Sequence, residues 1–225
     1  KLLNAGAIFA GKTVTAEFAV SDPGETRNPR NLFHTPGGSS SGSGASVAAG
    51  FCDIAIGTQT SGSVIRPAGY CGVVGYKPSF GRISRDGVLL FSNSMDHVGV
   101  CTRDLDVLEK VLPLIVDGWR FQKPKVIKNI SIGIPEGSYI NLSKPNVLKQ
   151  FLDTIQLLKE KFYIKNLELV RDIESYNRKI DEITFAELYK VHSVWFQRYK
   201  ELYGPIVRKT IEAGKKISPE DFTSL

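Results

Sequence analysis

No stretch of this chain approaches the roughly eighteen consecutive apolar residues that a membrane-spanning helix needs. The opening KLLNAGAIFAGKT lacks both the apolar core and the small-residue cleavage site of a secretory signal. The expectation is a cytoplasmic protein without a membrane partner. Cysteine is scarce: Cys52, Cys71 and Cys101 form an odd set with no CxxC pair. That pattern argues against a disulfide framework or a zinc site and for buried reduced thiols. His34, His97 and His192 share no motif that would join them into a triad, so each reads as a surface or packing histidine. Neither a metal nor a cofactor is expected.

Clustered charge of one sign is also missing. The net charge is +6, yet residues 1–118 hold ten Lys/Arg and ten Asp/Glu, against nineteen and thirteen in residues 119–225. The excess lysines are interleaved with acids, as in LKEKFYIKNLELVRD, which describes a solvated helix face rather than a phosphate-tracking stripe. No nucleic-acid partner is expected. A core of ordinary size is affordable, with 42% hydrophobic and 23% charged residues in 225.

What is plentiful is glycine, and 17 of the 21 glycines precede residue 119. The pattern predicts a Gly/Ser-rich catalytic core over 1–118 and a helix-rich second part over 119–225, together one domain spanning 1–225. Within it, SGSGASVAAGF predicts a short helix of small residues, and CDIAIG an apolar strand. TRDLDVLEKVLPLIVDG predicts an amphipathic helix with Thr102 as N-cap and Leu105, Leu108, Val111 and Leu112 on its apolar face. ISIGIPEG and KNLELV read as strands on either side of the helix NVLKQFLDTIQLLKEKF, and two further helices follow, EITFAELYKVHSVWFQRYKELYG and PIVRKTIEAGKK. Trp195, Phe196, Tyr199 and Tyr203 fall at helical spacing, as core or interface. At the start, KLLNAGA resembles the last turn of a helix and AIFAGKT a buried strand. At the end, Ser218, Pro219 and the acids after them form a helix start signal. Both ends read as cut, and the chain as a fragment.

Two clusters, GGSSSGSGAS and GTQTSGSVIRP, carry the chemistry. Neither has the Lys-Ser/Thr that a phosphate-binding loop requires. GSSSG at 38–42 matches a nucleophile elbow with Ser40 at its centre, but NPRNLFHTPG rather than an apolar strand leads into it. The third reading joins the clusters: TQTSGS makes a tight turn whose backbone N–H groups converge beside a serine hydroxyl, an oxyanion hole with its nucleophile, and the first cluster supplies a second hydroxyl to relay the proton.

Together with NAGAIFAGKTVTAEFA, SNSMDHVGVCTRDLDVL and the continuation GYCGVVGYKPSFGRIS, these clusters resemble the amidase signature family over residues 1–110. The later HSVWFQRYKELYGPIVRKTIEAGKKIS is more loosely similar. The resemblance implies an α/β fold with a mixed, largely parallel sheet and helices on both faces. It implies amide-bond hydrolysis of a small-molecule substrate through a Ser–cis-Ser–Lys relay and an acyl-enzyme, with Ser63 as nucleophile and Ser39, after a cis peptide bond, as relay. The two hydroxyls are expected within one hydrogen bond of each other. Thr60, Ser61, Gly62 and Ser63 correspond to the oxyanion donors. Arg66 either orients a substrate carboxylate or pins the loop, and Asp96 is read as capping or bracing the site rather than as a base. The family's catalytic lysine lies in a segment upstream of AGAIFAGKT, so no lysine here is assigned to it. Lys12 and Lys77 match positions that are not the base, and the chain alone is expected to be inactive. The alternative is the A subunit of an amidotransferase that works on aminoacyl-tRNA, and an inactive structural partner the one after that. A homodimer is compatible with all of these.

Overall fold

The computed structural model describes residues 1–20, 24–120, 130–169 and 172–224. Compactness divides the chain differently from the sequence-based split at residue 118. One unit comprises Lys1–Phe121 with Glu182–Leu225, the other Gln122–Asp181.

In the larger unit, helix α1 (Ser41–Ala48) leads to strand β1 (Ile54–Gln59), helix α2 (Ile65–Cys71), strands β2 (Val74–Tyr76) and β3 (His97–Thr102), and helix α3 (Leu105–Ile115). The sheet order is β1-β3-β2, with both pairings antiparallel. Its two faces follow the period of two along a strand. Val98 and Val100 of β3, with Ile54 of β1, meet Leu108, Val111, Leu112 and Ile115 of α3. Ala55 and Cys101, one residue out of phase, meet Val47 of α1 and Val64 and Ala68 of the α2 region. Helices therefore cover both faces, as expected. Parallel pairing, expected to predominate, is confined among the described strands to the smaller unit.

That unit holds strand β4 (Ser131–Pro135), the short helix α4 (Ser138–Asn141), helix α5 (Pro145–Lys159) and strand β5 (Tyr163–Leu167). β4 and β5 run parallel from Ser131↔Tyr163 to Pro135↔Leu167. The strand expected over KNLELV starts earlier and ends at Leu167, and Val170 lies outside the described residues. Helix α6 (Ile173–Tyr199) begins nine residues before the expected EITFAELYK start, carried by Asp172, whose carboxylate accepts the Ser175 amide at 2.9 Å. Helices α7 (Pro205–Lys215) and α8 (Pro219–Ser224) follow. In the larger unit, Leu188 and Phe196 of α6 close on Val207 and Ile211 of α7, with Tyr203 and Val20, as the second core cluster.

Two local expectations are corrected. AIFAGKT forms no strand: no described strand pairs with it, and Ile8 and Phe9 are 93% and 73% exposed. The N-cap of α3 is Asp104 rather than Thr102, because β3 runs through Thr102 and Asp104 is the first residue free to leave the extended ladder; its carboxylate accepts from Val107 N at 2.8 Å. That bond, with Arg103 beside it, holds the Asp104 carboxyl below the usual carboxylate range.

Candidate active site

The second Gly/Ser cluster is the turn between β1 and α2, and the sheet beneath it sets its position. Gly57 and Gly99 face each other across β1 and β3. A Cβ on either would approach a Val64 methyl at 3.2 Å, and on Gly99 it would also strike Tyr76 O at 2.5 Å. The glycine pair thus makes the depression in which the fully buried Val64 sits, and Val64 anchors the residue before it, Ser63. Gln59, the last residue of β1, braces the same turn from inside. Its Oε1 accepts from Val64 N at 2.9 Å and Ile65 N at 3.0 Å, and its Nε2 donates to Ser61 O at 3.1 Å. The amides of residues 60–63 make no hydrogen bond among the described residues. Thr60 is tied outward, its hydroxyl donating to Asp96 Oδ1 at 2.5 Å, while Asp96 Oδ2 accepts from Phe91 N and Ser92 N at 2.6 and 3.0 Å. Asp96 is the expected brace. Ser92 and Ser94 are themselves held by Glu187 of α6.

The first cluster enters through a cis peptide bond between Gly38 and Ser39. Ser39 O accepts from Ala16 N at 2.9 Å and from the Thr15 hydroxyl at 3.0 Å. The Gly42 amide donates to Val14 O at 2.8 Å, an approach that only glycine permits, since a Cβ there would lie 2.5 Å from Val14 N. Ser40 and Ser43 are structural: their hydroxyls bond the backbone of Thr58 and Ile56, groups that the ladder from β1 to β3 leaves free. Ser41 and Ser46 bond to backbone carbonyls of their own segment.

The two clusters meet through Ser40 N donating to Ser63 O at 3.1 Å. Ser39 and Ser63 are both buried, at 3% and 7% exposure. The expected hydrogen bond between their hydroxyls is not made. The loops are joined by backbone instead, and Ser39 Oγ has no partner among the described residues. A cleft of about 220 Å³ opens on the Ser39 side, lined by Ala16, Ala19, Val20, Gly38, Ser39 and Arg66 among others; Ser63 is not among its lining residues. Arg66 is exposed, and its Nε donates to Gly38 O at 2.9 Å, the loop-pinning role. Its two terminal nitrogens make no hydrogen bond among the described residues.

No group of three or more His, Cys, Asp or Glu among the described residues could hold a metal, and no helix among them is long and apolar enough to cross a membrane. Burial pushes the Cys101 thiol up to about 12 and raises that of Cys71. His97 packs edge-on to Phe80, and His192 is wholly buried with its Nδ1 hydrogen-bonded to Tyr203 Oη. The residues missed in the sequence are Gln59, Thr15 and Glu187. Gln59 had one signal: it occupies the inward phase of Ala55, Gly57 and Gln59, where an amide side chain must find partners.

The Amidase family model matches residues 1–223, and the chain belongs to that family. The A subunit of glutamyl-tRNA(Gln) amidotransferase from Lachnospira eligens is 32% identical over 253 aligned residues, covering 95% of this chain and 53% of the relative. Its counterpart from Prochlorococcus marinus is 48% identical over 121 residues, 51% of this chain and 25% of the relative. Among solved structures, a crystal structure of an amidase superposes with a TM-score of 0.90 at 29% identity, over 99% of this chain and 52% of that one. Kluyveromyces lactis allophanate hydrolase shares the fold, with a TM-score of 0.81 at 24% identity over 95% of this chain and 38% of that one. The chain spans about half, or less, of the length of these relatives.

Proposed function

We propose that this chain carries the two serines of an amide-cleaving site, with Ser63 as nucleophile and Ser39 as proton relay. The observation that carries the reading is Ser39 Oγ, buried without a hydrogen-bond partner beside a cleft and in the loop whose Ser40 amide is bonded to Ser63 O. A buried hydroxyl is ordinarily paired, so one left open in a cleft is a group held for use. Ser63 Oγ attacks the amide carbonyl; its proton passes to Ser39 and on to a basic amine. The unpaired amides of residues 60–63 receive the developing oxyanion. The leaving nitrogen takes the proton back, and water hydrolyses the ester on Ser63. No basic side chain among the described residues touches Ser39 Oγ, so in this reading the base is a lysine that the described residues do not supply, and without it the relay is inactive. The substrate is a small-molecule amide and the setting cytoplasmic.

A second reading has a specific observation in its favour: the curated relatives are named as A subunits of an amidotransferase. In that case the same serines release ammonia from an amide donor for transfer within a larger assembly. A fluorophosphonate probe tests the common core. The full-length protein should label at Ser63 and lose the label in Ser63→Ala, whereas an unlabelled protein removes the nucleophile assignment. Ammonia release from a panel of aliphatic and aryl amides, run beside glutamine, separates the two readings. Turnover of glutamine alone favours the amidotransferase. Robust turnover by the 225-residue chain would show that the relay does not need the external lysine.

A further inference from the structure

Outside the serine loops, the residues around Glu17 adopt a backbone that is rare for the side chains they carry. Phe18 and Ala19 are the non-glycine residues with positive φ among those described, at +45° and +62°. Left-handed backbone is unfavourable for residues with a Cβ, so two in succession persist only where the surroundings hold them. Here the holding groups are visible. Glu17 presents both carboxylate oxygens to Gly204 N at 3.1 Å, serving as the cap that glycine cannot itself provide at the start of α7. Phe18 packs edge-on against His192 at 4.5 Å between ring centroids and lies 5.3 Å from Tyr203. His192 Nδ1 and Tyr203 Oη are hydrogen-bonded at 3.0 Å, and His192 Nε2 has no partner among the described residues. The next residues along the chain, Ala19 and Val20, together with Ala16 before the turn, form one apolar wall of the cleft that also contains Ser39, with Tyr70 elsewhere in its lining.

We propose that His192 and Tyr203 are positioning residues: they clamp the left-handed turn at Phe18 and Ala19 and so set the size of the acyl group that the cleft admits. The proposal rests on the reading of the cleft as an amide site. With a wall of two alanines and a valine held rigidly, the cleft selects small unbranched aliphatic acyl groups. A clamp that fails lets residues 18 and 19 return to right-handed backbone, which moves the wall and widens the cleft. The effect falls on which acyl groups fit, because neither clamp residue lines the cleft or touches Ser39 or Ser63.

The test uses the full-length protein and the variants His192→Gln and Tyr203→Phe, the second keeping the ring and removing only the hydroxyl. Hydrogen exchange is read on the peptide spanning residues 14–20, and kcat and KM are measured for propionamide and benzamide. In at least one folded clamp variant, exchange of that peptide should accelerate about tenfold or more. The benzamide-to-propionamide ratio of kcat/KM should rise about tenfold through KM, the scale of discrimination an apolar pocket provides. Adding Ala19→Gly, which accepts positive φ without a Cβ, should return the ratio toward that of the parent protein. Unchanged exchange in every folded clamp variant overturns the clamp whether or not the protein is active. An unchanged ratio, or a loss confined to kcat, overturns the link to acyl size. Absence of any Ser63-dependent turnover instead removes the functional reading, and the exchange result still decides the clamp.

Discussion

Replacing Gln59 by Met tests how the oxyanion turn is held. The two side chains are close in volume, so little cavity is created and the effect isolates polar contacts. Three hydrogen bonds disappear: those accepted from Val64 N at 2.9 Å and Ile65 N at 3.0 Å, and the one donated to Ser61 O at 3.1 Å. Val64 is wholly buried, and its amide has no other acceptor among the described residues. Leaving a buried donor unsatisfied costs about 1–3 kcal/mol, and since Val64 is wholly buried whereas Ile65 is 50% exposed, the Val64 amide alone predicts a loss of about 1–3 kcal/mol. Urea unfolding of the full-length protein should show this as a lower midpoint at an unchanged slope. Turnover should fall further than stability explains, by about 10²–10³ in kcat if the amides of residues 60–63 lose alignment, the scale of losing one oxyanion donor. Gln59→Glu keeps the acceptor for both amides and should recover much of the stability, but not the bond to Ser61 O. A stability loss below about 1 kcal/mol in Gln59→Met would refute the claim that this side chain organises the turn.

Other perturbations reach different parts of the molecule. Gly214→Ala places a Cβ 1.9 Å from Phe185 O, so α7 must shift from α6; a loss of at least about 1–3 kcal/mol is expected by thermal or urea unfolding, and an unchanged midpoint would contradict this packing. With the Cys101 thiol near 12, only about one part in 10⁴ is thiolate at pH 8, so iodoacetamide on the folded protein should spare Cys101 and Cys71 and modify Cys52, which mass spectrometry of the digest will show. Burial lowers the His192 pKa below its ordinary value near 6.5, so the unfolded chain takes up a proton there before the folded protein does. Stability should therefore decline as pH falls below about 6.5, and His192→Gln should flatten that decline between pH 6.5 and 5; an equally steep decline in the variant assigns it to other groups. For Asp104, whose carboxyl is held below its usual range, the capping contribution is present above pH 4 and lost as pH falls through the native value; the acid unfolding of Asp104→Asn should show a smaller dependence in that window.

By itself, the order of residues determined the helices and strands whose apolar spacing is regular, and α3, α5 and α7 lie where the 3.6-residue period puts them. It also determined the two Gly/Ser clusters, because few structures other than tight turns and close backbone approaches tolerate so many residues without a bulky side chain. Strand pairing was not legible. β2 is three residues long and sits among glycines, and CDIAIG reads as a strand without a partner until the antiparallel register sets Gly57 against Gly99. The roles of Glu17 and Glu187 were hidden for the same reason. A polar side chain is assigned by the partner it reaches, and these partners lie up to 187 residues away, as Glu17 does from Gly204. Left-handed backbone at Phe18 and Ala19 has no local cause at all, since neither residue favours it; only the packing of α6 and α7 on that turn makes it the lowest state available. Local periodicity decides what a segment can form, whereas contacts closed across the whole unit decide which hydroxyl is left unpaired beside a cleft.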